Sequence, residues 1–586
     1  MNKNIPNIFF TSANTPELKA RTALTQRGSS NDGDAVKITR AEFEEGVREL
    51  ALGLMALGID SGSRIAILQN NNPDWIISDL AILSIGAVTV PIYTTLGAAE
   101  MLYILNDAEV SAIICSNAHL KKLLKISDEA LLLKHIISTE DVSDSLTNKD
   151  ILSIEQLRAL GRESGDLELL NKRIEGISPE DTFSIIYSSG TTGRAKGVAL
   201  SHQNLISNIE NVLKVVDVRS SDCYLSYLPL SHVFERMVHH LLVYLGAKIA
   251  YSRGFAFVGA DTTFFRPSFM VGVPFYFERL MEKIKENISK AGKVKASAFE
   301  IAMNLKLPIL SSILDTAVLS KIREKACPGL RFYISGGAAL GIETAEFFNN
   351  LGIPVLQGYG LTETSPVATI NTIDSDKIGT VGKAIPGVEI KIAEDGEVLI
   401  KGHCIMQGYL NMPEANREAI IDNWFKSGDL GSLDNEGYLT ITGRKKDLII
   451  TSVGKNISPQ KIEALLKADD YIKEVVVFGD NRPHLVAIIF PEIERLTQEG
   501  ITEPKAKPTV KTDTKTIITD KALHRFFEKK LRSRLKGLAR FEQIRRFNLI
   551  NGTLSTKGGE LTPTLKIKRS NVKEKYNSII EALYDN

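Results

Sequence analysis

The sequence predicts an α/β protein. A large N-terminal region of helix-flanked, largely parallel sheets ends in a small β-barrel or meander, ahead of a small α+β C-terminal domain. Two changes of texture carry that reading. Over most of the first 445 residues, short β-branched runs alternate with apolar helical patterns. The runs are RIAIL at 64–68, AVTVPIY at 87–93, SAIICS at 111–116, KHIIST at 134–139 and FSIIYSS at 183–189. Strands separated by helices make βαβ units and parallel sheets. Around 379–442 the text becomes GTVGKAIPGVEIKIAEDGEVLIKG and then EGYLTITG, short alternating strands between Gly and Asp turns. After GRKKD at 443–447, IEALLKADDYIKEVVVFGD and HLVAIIF read as helix, strand, turn, strand. A boundary is therefore expected near Lys446, giving domains 1–445 and 446–586, the second of roughly 140 residues. The polar run TEPKAKPTVKTDTKT at 502–516 reads as an exposed insertion.

Composition narrows the function classes. The chain has 586 residues, 43% hydrophobic and 24% charged, which excludes a disordered chain, a collagen-like fibre and a coiled-coil rod. With 71 Lys+Arg against 70 Asp+Glu it lacks the basic excess of a dedicated nucleic-acid binder, and no nucleic-acid partner is expected. Cys115, Cys223, Cys327 and Cys404 lie far apart without CxxC spacing, which points to reduced, buried thiols and no zinc site. The N-terminus lacks the apolar core and cleavage site of a signal peptide. The most apolar stretch, Ile76 to Tyr93, is broken by Asp79, Gly86 and Pro91, so a buried helix leading into a strand fits it better than a membrane span. A cytoplasmic protein is expected.

Four segments carry chemistry. YSSGTTGRAKGV at 187–198 follows an apolar strand and precedes the helix-like SHQNLISNIENVLKVV. Small hydroxyl and glycine residues let backbone N–H groups converge on an anion, and Arg194 and Lys196 offer positive charge to a polyphosphate. The spacing is not that of the GxxxxGK[ST] P-loop. In QGYGLTETSPV at 357–367, glycines flank Tyr359 so that its ring can lie against a flat base. Glu363 in the turn would suit Mg²⁺ beside phosphates, since that hard cation takes one or two carboxylates plus phosphate oxygens. Asp429, in FKSGDLGSLDNEGYL at 425–439, sits where a carboxylate can accept from both hydroxyls of a ribose; taken singly, it is a turn former. In GRKKDLIITSVGKNISPQKIE at 443–463, Arg444 is within reach of ribose or phosphate, and Lys446 and Asp447 fall at the change of texture.

The order YSSGTTGRAKG, LPLSHVFER, QGYGLTET, SGD and GRKKDLIITSVGKNISP resembles the adenylate-forming superfamily of acyl-CoA synthetases, peptide-synthetase adenylation domains and luciferases. VGVPFYFERLMEKI at 271–284, the helical insertion to about residue 325 and LTPTLKIKR at 561–569 look most like long-chain fatty-acyl-CoA synthetases of bacteria. The resemblance implies two helix-flanked sheets plus a small barrel, and a mobile C-terminal lid domain. It implies an enzyme that joins a fatty acid to AMP with release of pyrophosphate and then passes the acyl group to coenzyme A, using ATP and Mg²⁺. The loop Ser188, Ser189, Gly190, Thr191, Thr192, Gly193 and Lys196 would hold the β- and γ-phosphates. Gly336, Gly337, Gly358 and Tyr359 would form the adenine pocket, with Thr362 beside Glu363 as the Mg²⁺ ligand. Asp429 and Arg444 would grip the ribose. His232 would lie beside the acyl carboxylate and the α-phosphate. Lys446 would mark a hinge, and the loop around Gly454 would shape the CoA channel. Lys566 aligns with the family's catalytic lysine, but Leu565 stands where a Gly is usual, which leaves Lys568 as a second candidate.

Such a cation is needed because adenylation brings an anionic nucleophile toward a polyanion, and a lysine ammonium is a compact charge on a flexible stem. KALHRFFEKKLRSRLKGLARFEQIRR at 521–546 holds ten Lys/Arg against two Asp/Glu. Leu523, Phe527, Leu531, Leu535 and Leu538 repeat at helical spacing, an amphipathic basic helix. Docking within its own domain, attraction to CoA phosphates, and peripheral attachment to the anionic inner face of the membrane are its three readings. Two other functions stay open: a fatty-acyl-AMP ligase or adenylation enzyme that loads an acyl carrier protein, and a non-enzymatic sensor of ATP or fatty acid. Monomer and homodimer are likewise open.

Overall fold

The structure, a computed structural model, describes residues 3–12, 15–28, 34–141, 151–188, 194–304, 315–502, 510–512, 515–555, 558–562 and 566–585. By its internal contacts the chain divides into two units. The first holds the described residues of Met1–Ser189, Arg194–Ile390 and Ile400–Lys426, and the second those of Lys391–Leu399 and Ser427–Asn586.

The first unit contains two large sheets among its described residues. One is nine-stranded, in the lateral order Lys383–Ala384, Val367–Ile370, Val355–Gly360, Phe332–Ser335, Phe269–Gly272, Cys223–Ser226, Lys248–Tyr251, Thr22–Arg27, Ala35–Thr39. Its six middle strands, Val355–Gly360 through Thr22–Arg27, pair in parallel. The other is eight-stranded and runs Gly408–Tyr409, Lys196–Ser201, Thr182–Ser188, Val88–Pro91, Arg64–Leu68, Ala112–Cys115, His135–Ser138, Ile151–Ser153. From Thr182–Ser188 onward its pairs are parallel. All five β-branched runs named from the sequence are strands, and RIAIL matches its strand end to end. The stretch Ile76 to Tyr93 is the helix Pro73–Ser84, capped by the Asn72 side chain, followed by the strand Val88–Pro91. The four cysteines are free and buried. Among the described residues no helix is long and apolar enough to cross a membrane.

The meander expected near 379–442 is a five-stranded sheet in which Trp424–Leu433 pairs antiparallel with Leu439–Arg444. In the second unit a five-stranded sheet is ordered Ile472–Phe478, Leu485–Pro491, Ile544–Asn551, Lys515–Ile518, Val510–Thr512. The helices Pro459–Lys467 and Lys521–Arg534 pack on one face of it, and Val572, Tyr576, Ile579 and Ile580 on the other.

Two sequence readings need correction here. Part of the expected insertion, Val510–Thr512 and Lys515–Ile518, is an antiparallel strand pair on the sheet edge, because its alternating Val, Thr and Ile outweigh the polar composition. The basic stretch 521–546 is not one helix. It turns at Leu535 and re-enters the sheet as Ile544–Asn551. Leu523, Phe527 and Leu531 are buried in the unit's own core, so its apolar face is already spent on docking there.

Candidate active site

The hairpin Thr182–Ser188 and Lys196–Ser201 brackets the candidate anion-binding segment, with Ser188 paired to Lys196 across the ladder. Ser189, Gly190, Thr191, Thr192 and Gly193 lie outside the described residues. KGVALS is a strand, where the sequence reading ran the loop directly into helix His202–Leu213. Val198 and Leu200 point inward from it, and a Cβ on Gly197 would stand 3.0 Å from the Ile185 and Tyr187 side chains, which would have to give by a few tenths of an ångström. Arg194 reaches the Tyr103 ring at 5.5 Å.

Lys196 points its ammonium at the Tyr409 ring, 4.4 Å from the centroid, and the Tyr409 hydroxyl donates to Glu363 Oε1 at 3.0 Å. A cation, an aromatic hydroxyl and a carboxylate from three distant stretches of sequence thus stand in one row. Each is fixed by local geometry. Tyr409 sits opposite Val198 on the short strand Gly408–Tyr409. Asn416 clamps its backbone, accepting from the N–H at 2.6 Å and donating to the carbonyl at 2.9 Å. Glu363 lies in the single 3-10 turn Thr362–Thr364. The Thr364 hydroxyl donates to the Pro366 carbonyl at 2.6 Å, the Ser365 hydroxyl to the Cys404 carbonyl at 2.8 Å, and the Met406 N–H to the Glu363 carbonyl at 2.9 Å. Gly360 has no alternative, since a Cβ there would fall 1.6 Å from the Pro366 carbonyl oxygen. Glu363 is therefore a half-buried, oriented carboxylate and no freely solvated turn residue. Tyr359 and Gly358 lie half-buried on the strand that feeds this turn, opposite Thr369 and Ile370.

His232 caps the helix Val233–Leu245, its Nδ1 accepting the Phe234 N–H at 3.2 Å. That leaves the ring proton of the neutral form on Nε2. Two residues on, the Phe234 ring would stand 3.0 Å from a Cβ on Gly336, and Gly337 takes φ +82°, so the histidine segment and the glycine pair meet. Sequence reasoning gave no role to the groups that hold this segment. Glu235 is fully buried and bonds the Tyr224 hydroxyl at 2.6 Å and the Ser226 hydroxyl at 2.7 Å. Burial pushes its carboxyl up to about 8 against those stabilising bonds. Asn71 donates to Ser226 Oγ at 2.9 Å and to the Leu228 carbonyl at 2.5 Å, and accepts the Leu230 N–H at 3.0 Å. Arg236 forms a bidentate pair with Asp79 at 2.9 and 2.6 Å, and His240 joins it at 3.0 Å. Burial works to raise the Asp79 carboxyl, but Arg236 and His240 outweigh it and hold it well below the usual carboxylate range. The amide-rich QNNNPDW at 69–75 and the charged end of LPLSHVFER were the signals available for these residues.

In the second unit, Asp429 and Arg444 sit opposite each other in register and pair, Nε to Oδ1, at 2.8 Å. Asp429 is buried, and its N–H donates to Ser427 Oγ at 3.1 Å, which in turn donates to the Val398 carbonyl at 2.6 Å. Lys445 bonds Asp395 and Glu397 at 2.5 and 3.0 Å, while Lys446 is exposed in the same turn. Gly454, at φ +73°, lies exposed between the short strands Ile449–Ile450 and Asn456–Ile457. Lys566 is exposed, its backbone tied in both directions to Thr562 at 2.7 and 3.0 Å. Ile567 packs inward, and Lys568 begins the helix Arg569–Lys575. Arg569 anchors the segment through a bidentate pair with Glu463 at 2.7 and 2.8 Å.

Among the described residues no group of three or more His, Cys, Asp or Glu side chains is placed to hold a metal ion. A lone oriented carboxylate fits a cation that takes most of its ligands from phosphate and water, which is the habit of Mg²⁺.

Two family models cover most of this chain: AMP-binding enzyme over residues 11–410, and AMP-binding enzyme C-terminal domain over 446–586. The chain belongs to the AMP-binding enzyme family. The long-chain-fatty-acid–CoA ligase FadD15 of Mycobacterium bovis is 33% identical over 570 residues, covering 94% of this chain and 93% of that protein. The anthranilate CoA ligase AuaEII, solved with anthranoyl-AMP, has the same fold at TM-score 0.74 and 20% identity, covering 99% and 98% of the two chains. The o-succinylbenzoate coenzyme A synthetase of Bacillus subtilis, solved with ATP and a magnesium ion, matches at TM-score 0.69 and 21% identity over 97% and 99%.

Proposed function

We propose that this protein is an ATP-dependent, AMP-forming long-chain fatty acid–CoA ligase. The observation that carries adenylate formation is the row Lys196–Tyr409–Glu363, a cation and an oriented carboxylate beside a segment built of small hydroxyl and glycine residues. The acyl class is supported by the Mycobacterium bovis relative at 33% identity, a long-chain-fatty-acid–CoA ligase.

Each residue then has a task. Ser188 and Lys196, with Ser189–Gly193, hold the β- and γ-phosphates. Lys196 supplies a charge that costs no reorganisation as pyrophosphate leaves. Glu363, its Oε1 fixed by Tyr409 and Thr362 beside it, would hold Mg²⁺. When bound, that ion neutralises charge on the polyphosphate. His232, protonated on Nε2, donates toward the acyl carboxylate and keeps it in line with the α-phosphorus. Gly336, Gly337, Gly358 and Tyr359 take the adenine. Asp429 accepts from the ribose hydroxyls, and Arg444 keeps that carboxylate ionised and oriented. Lys566 neutralises the α-phosphate in the first half-reaction, Gly454 belongs to the thioester step, and Lys446 is the hinge. The Lys446 boundary is supported by the C-terminal family model, which begins there. A cytoplasmic location is supported by four reduced, buried thiols.

The test is a panel of saturated acids from butanoate to stearate with ATP, Mg²⁺ and CoA, scoring pyrophosphate exchange and thioester separately. Thioester formed from long-chain acids is the expected result. Exchange without thioester, relieved only by an acyl carrier protein, would replace CoA as the acceptor, and no exchange with any acid would end the reading.

A further inference from the structure

We propose that Asn71 is a positioning residue for the adenylation step: its side-chain amide fixes the loop 227–232, and through that loop the place at which His232 meets the acyl carboxylate. Because His232 takes its task from the ligase reading, the role of Asn71 rests on that reading and deepens it.

Loop 227–232 joins the strand Cys223–Ser226 to the helix Val233–Leu245 and ends on His232. Its own backbone supplies the bond from the His232 N–H to the Pro229 carbonyl at 2.9 Å. The Leu228 carbonyl and the Leu230 N–H are taken up by Asn71, which donates to the first at 2.5 Å and accepts from the second at 3.0 Å, so that the amide brackets Pro229 from both sides. Its other proton goes to Ser226 Oγ at 2.9 Å. Ser226 in turn donates to Glu235 Oε1 at 2.7 Å, and the Tyr224 hydroxyl donates to Oε2 at 2.6 Å. One side chain therefore holds the end of the strand, the middle of the loop and, by way of Ser226, the first turn of the helix that His232 caps.

Asn71 reaches the loop from the other large sheet. It follows the strand Arg64–Leu68 and precedes Asn72, whose side chain caps the helix Pro73–Ser84 by accepting the Trp75 N–H at 3.0 Å. Leu68, Trp75 and Ile76 are fully buried, so the amide is presented from a rigid base. The helix Pro73–Ser84 meets the His232 helix again where Asp79 pairs with Arg236 at 2.9 and 2.6 Å. That ion pair sets the helix, and Asn71 sets the loop at its end. An amide suits the place because it donates twice and accepts once without a charge. A carboxylate there would turn lone pairs toward the Leu228 carbonyl and add a second acid beside Glu235. A reacting group displaced by about 1 Å loses on the order of 100-fold in rate, which is the scale at which a loop clamp matters.

The test is a double-mutant cycle read by ATP–pyrophosphate exchange with palmitate. Asn71→Ala should lower kcat/KM for the acid roughly 10- to 100-fold and leave the KM for ATP unchanged. Asn71→Asp, which keeps the shape and the Leu230 contact but not the two donated bonds, should fall as well at an unchanged thermal midpoint. His232→Ala should fall at least as far, and Asn71→Ala/His232→Ala should be no slower than His232→Ala, since Asn71 acts through that ring. A second measurement needs no turnover. The NMR signal of the His232 ring, identified by its loss in His232→Ala, should be single in the wild type and broadened or split in Asn71→Asp. Wild-type kinetics in both Asn71 variants, losses that add in the double variant, or an unaltered ring signal would overturn the proposal. No exchange in the wild type would end the ligase reading, and the ring signal would still decide whether Asn71 holds His232.

Discussion

Tyr409→Phe isolates the contact on which the proposed adenylation site turns. The substitution removes one oxygen and leaves the ring under Lys196 in place. The bond lost runs from a hydroxyl to a carboxylate at 3.0 Å, and hydrogen bonds to charged groups contribute about 1.5–3 kcal/mol. Glu363 is half-buried, so solvent recovers part of that, and the lower portion of the range, about 1.5–2 kcal/mol, is the appropriate figure. At about 1.4 kcal/mol per decade this is roughly a 10- to 30-fold fall in kcat/KM for ATP–pyrophosphate exchange. The exposed carboxylate would also need more Mg²⁺ to fill its site, so the Mg²⁺ concentration at half-maximal rate should rise. Tyr409→Leu removes the ring as well and should cost a further 0.5–2 kcal/mol, the order of a cation–π contact. The assay is exchange measured across a Mg²⁺ titration, with a thermal melt of each variant. Wild-type exchange and Mg²⁺ dependence in Tyr409→Phe would refute the argument that this hydroxyl orients Glu363.

Three other outcomes are expected. Asp79→Asn leaves Arg236 buried without its carboxylate and should destabilise the protein by about 3–5 kcal/mol in urea unfolding, whereas replacing an exposed acid such as Glu168 should be close to neutral. Glu235, held up near 8 in the fold, binds a proton that the unfolded chain releases near pH 4.5. Its contribution to stability is therefore present in full at acid pH and lost as pH rises toward 8. Glu235→Gln should flatten the decline of the melting midpoint between pH 5 and 8, and an unaltered slope would mean the carboxyl is already ionised. Lys566→Ala should abolish acyl-AMP formation while sparing thiol attack on supplied acyl-AMP. If Lys568→Ala gives that pattern instead, the catalytic lysine is two residues further on.

Much of the architecture was legible because hydrophobic period is a local property. RIAIL and SAIICS have no polar alternation and are strands covered on both faces, as in a parallel sheet. Composition misled where it stood in for pattern. The Lys- and Thr-rich 502–516 hides an edge strand pair, and the continuous basic stretch 521–546 is a helix, a turn and a strand. Residue type alone marked 187–198 as a candidate anion-binding segment, but the strand that follows its loop went unread, since KGVALS is too short for its period to be read.

The candidate site divides the same way. Residues announced by glycines and hydroxyls in a run, such as Lys196, Tyr359 and Glu363, were visible, because a backbone that must approach an anion or a base excludes large side chains from its neighbours. Tyr409, Asn71 and Glu235 were not. Asn71 meets Ser226 across 155 residues of chain and Tyr409 meets Lys196 across more than two hundred, while Glu235 gains its role only where its helix turns back on Tyr224 and Ser226, and no local pattern encodes these meetings. Sequence by itself determined the alternation of strands and helices and the chemistry of the short motifs. The tertiary structure alone decided that Lys196 and Glu363 meet through Tyr409, that the basic helix spends its apolar face inward, and that Phe255, Phe257, Phe264 and Phe541 remain outside, because burial is a property of the packed chain and not of any segment of it.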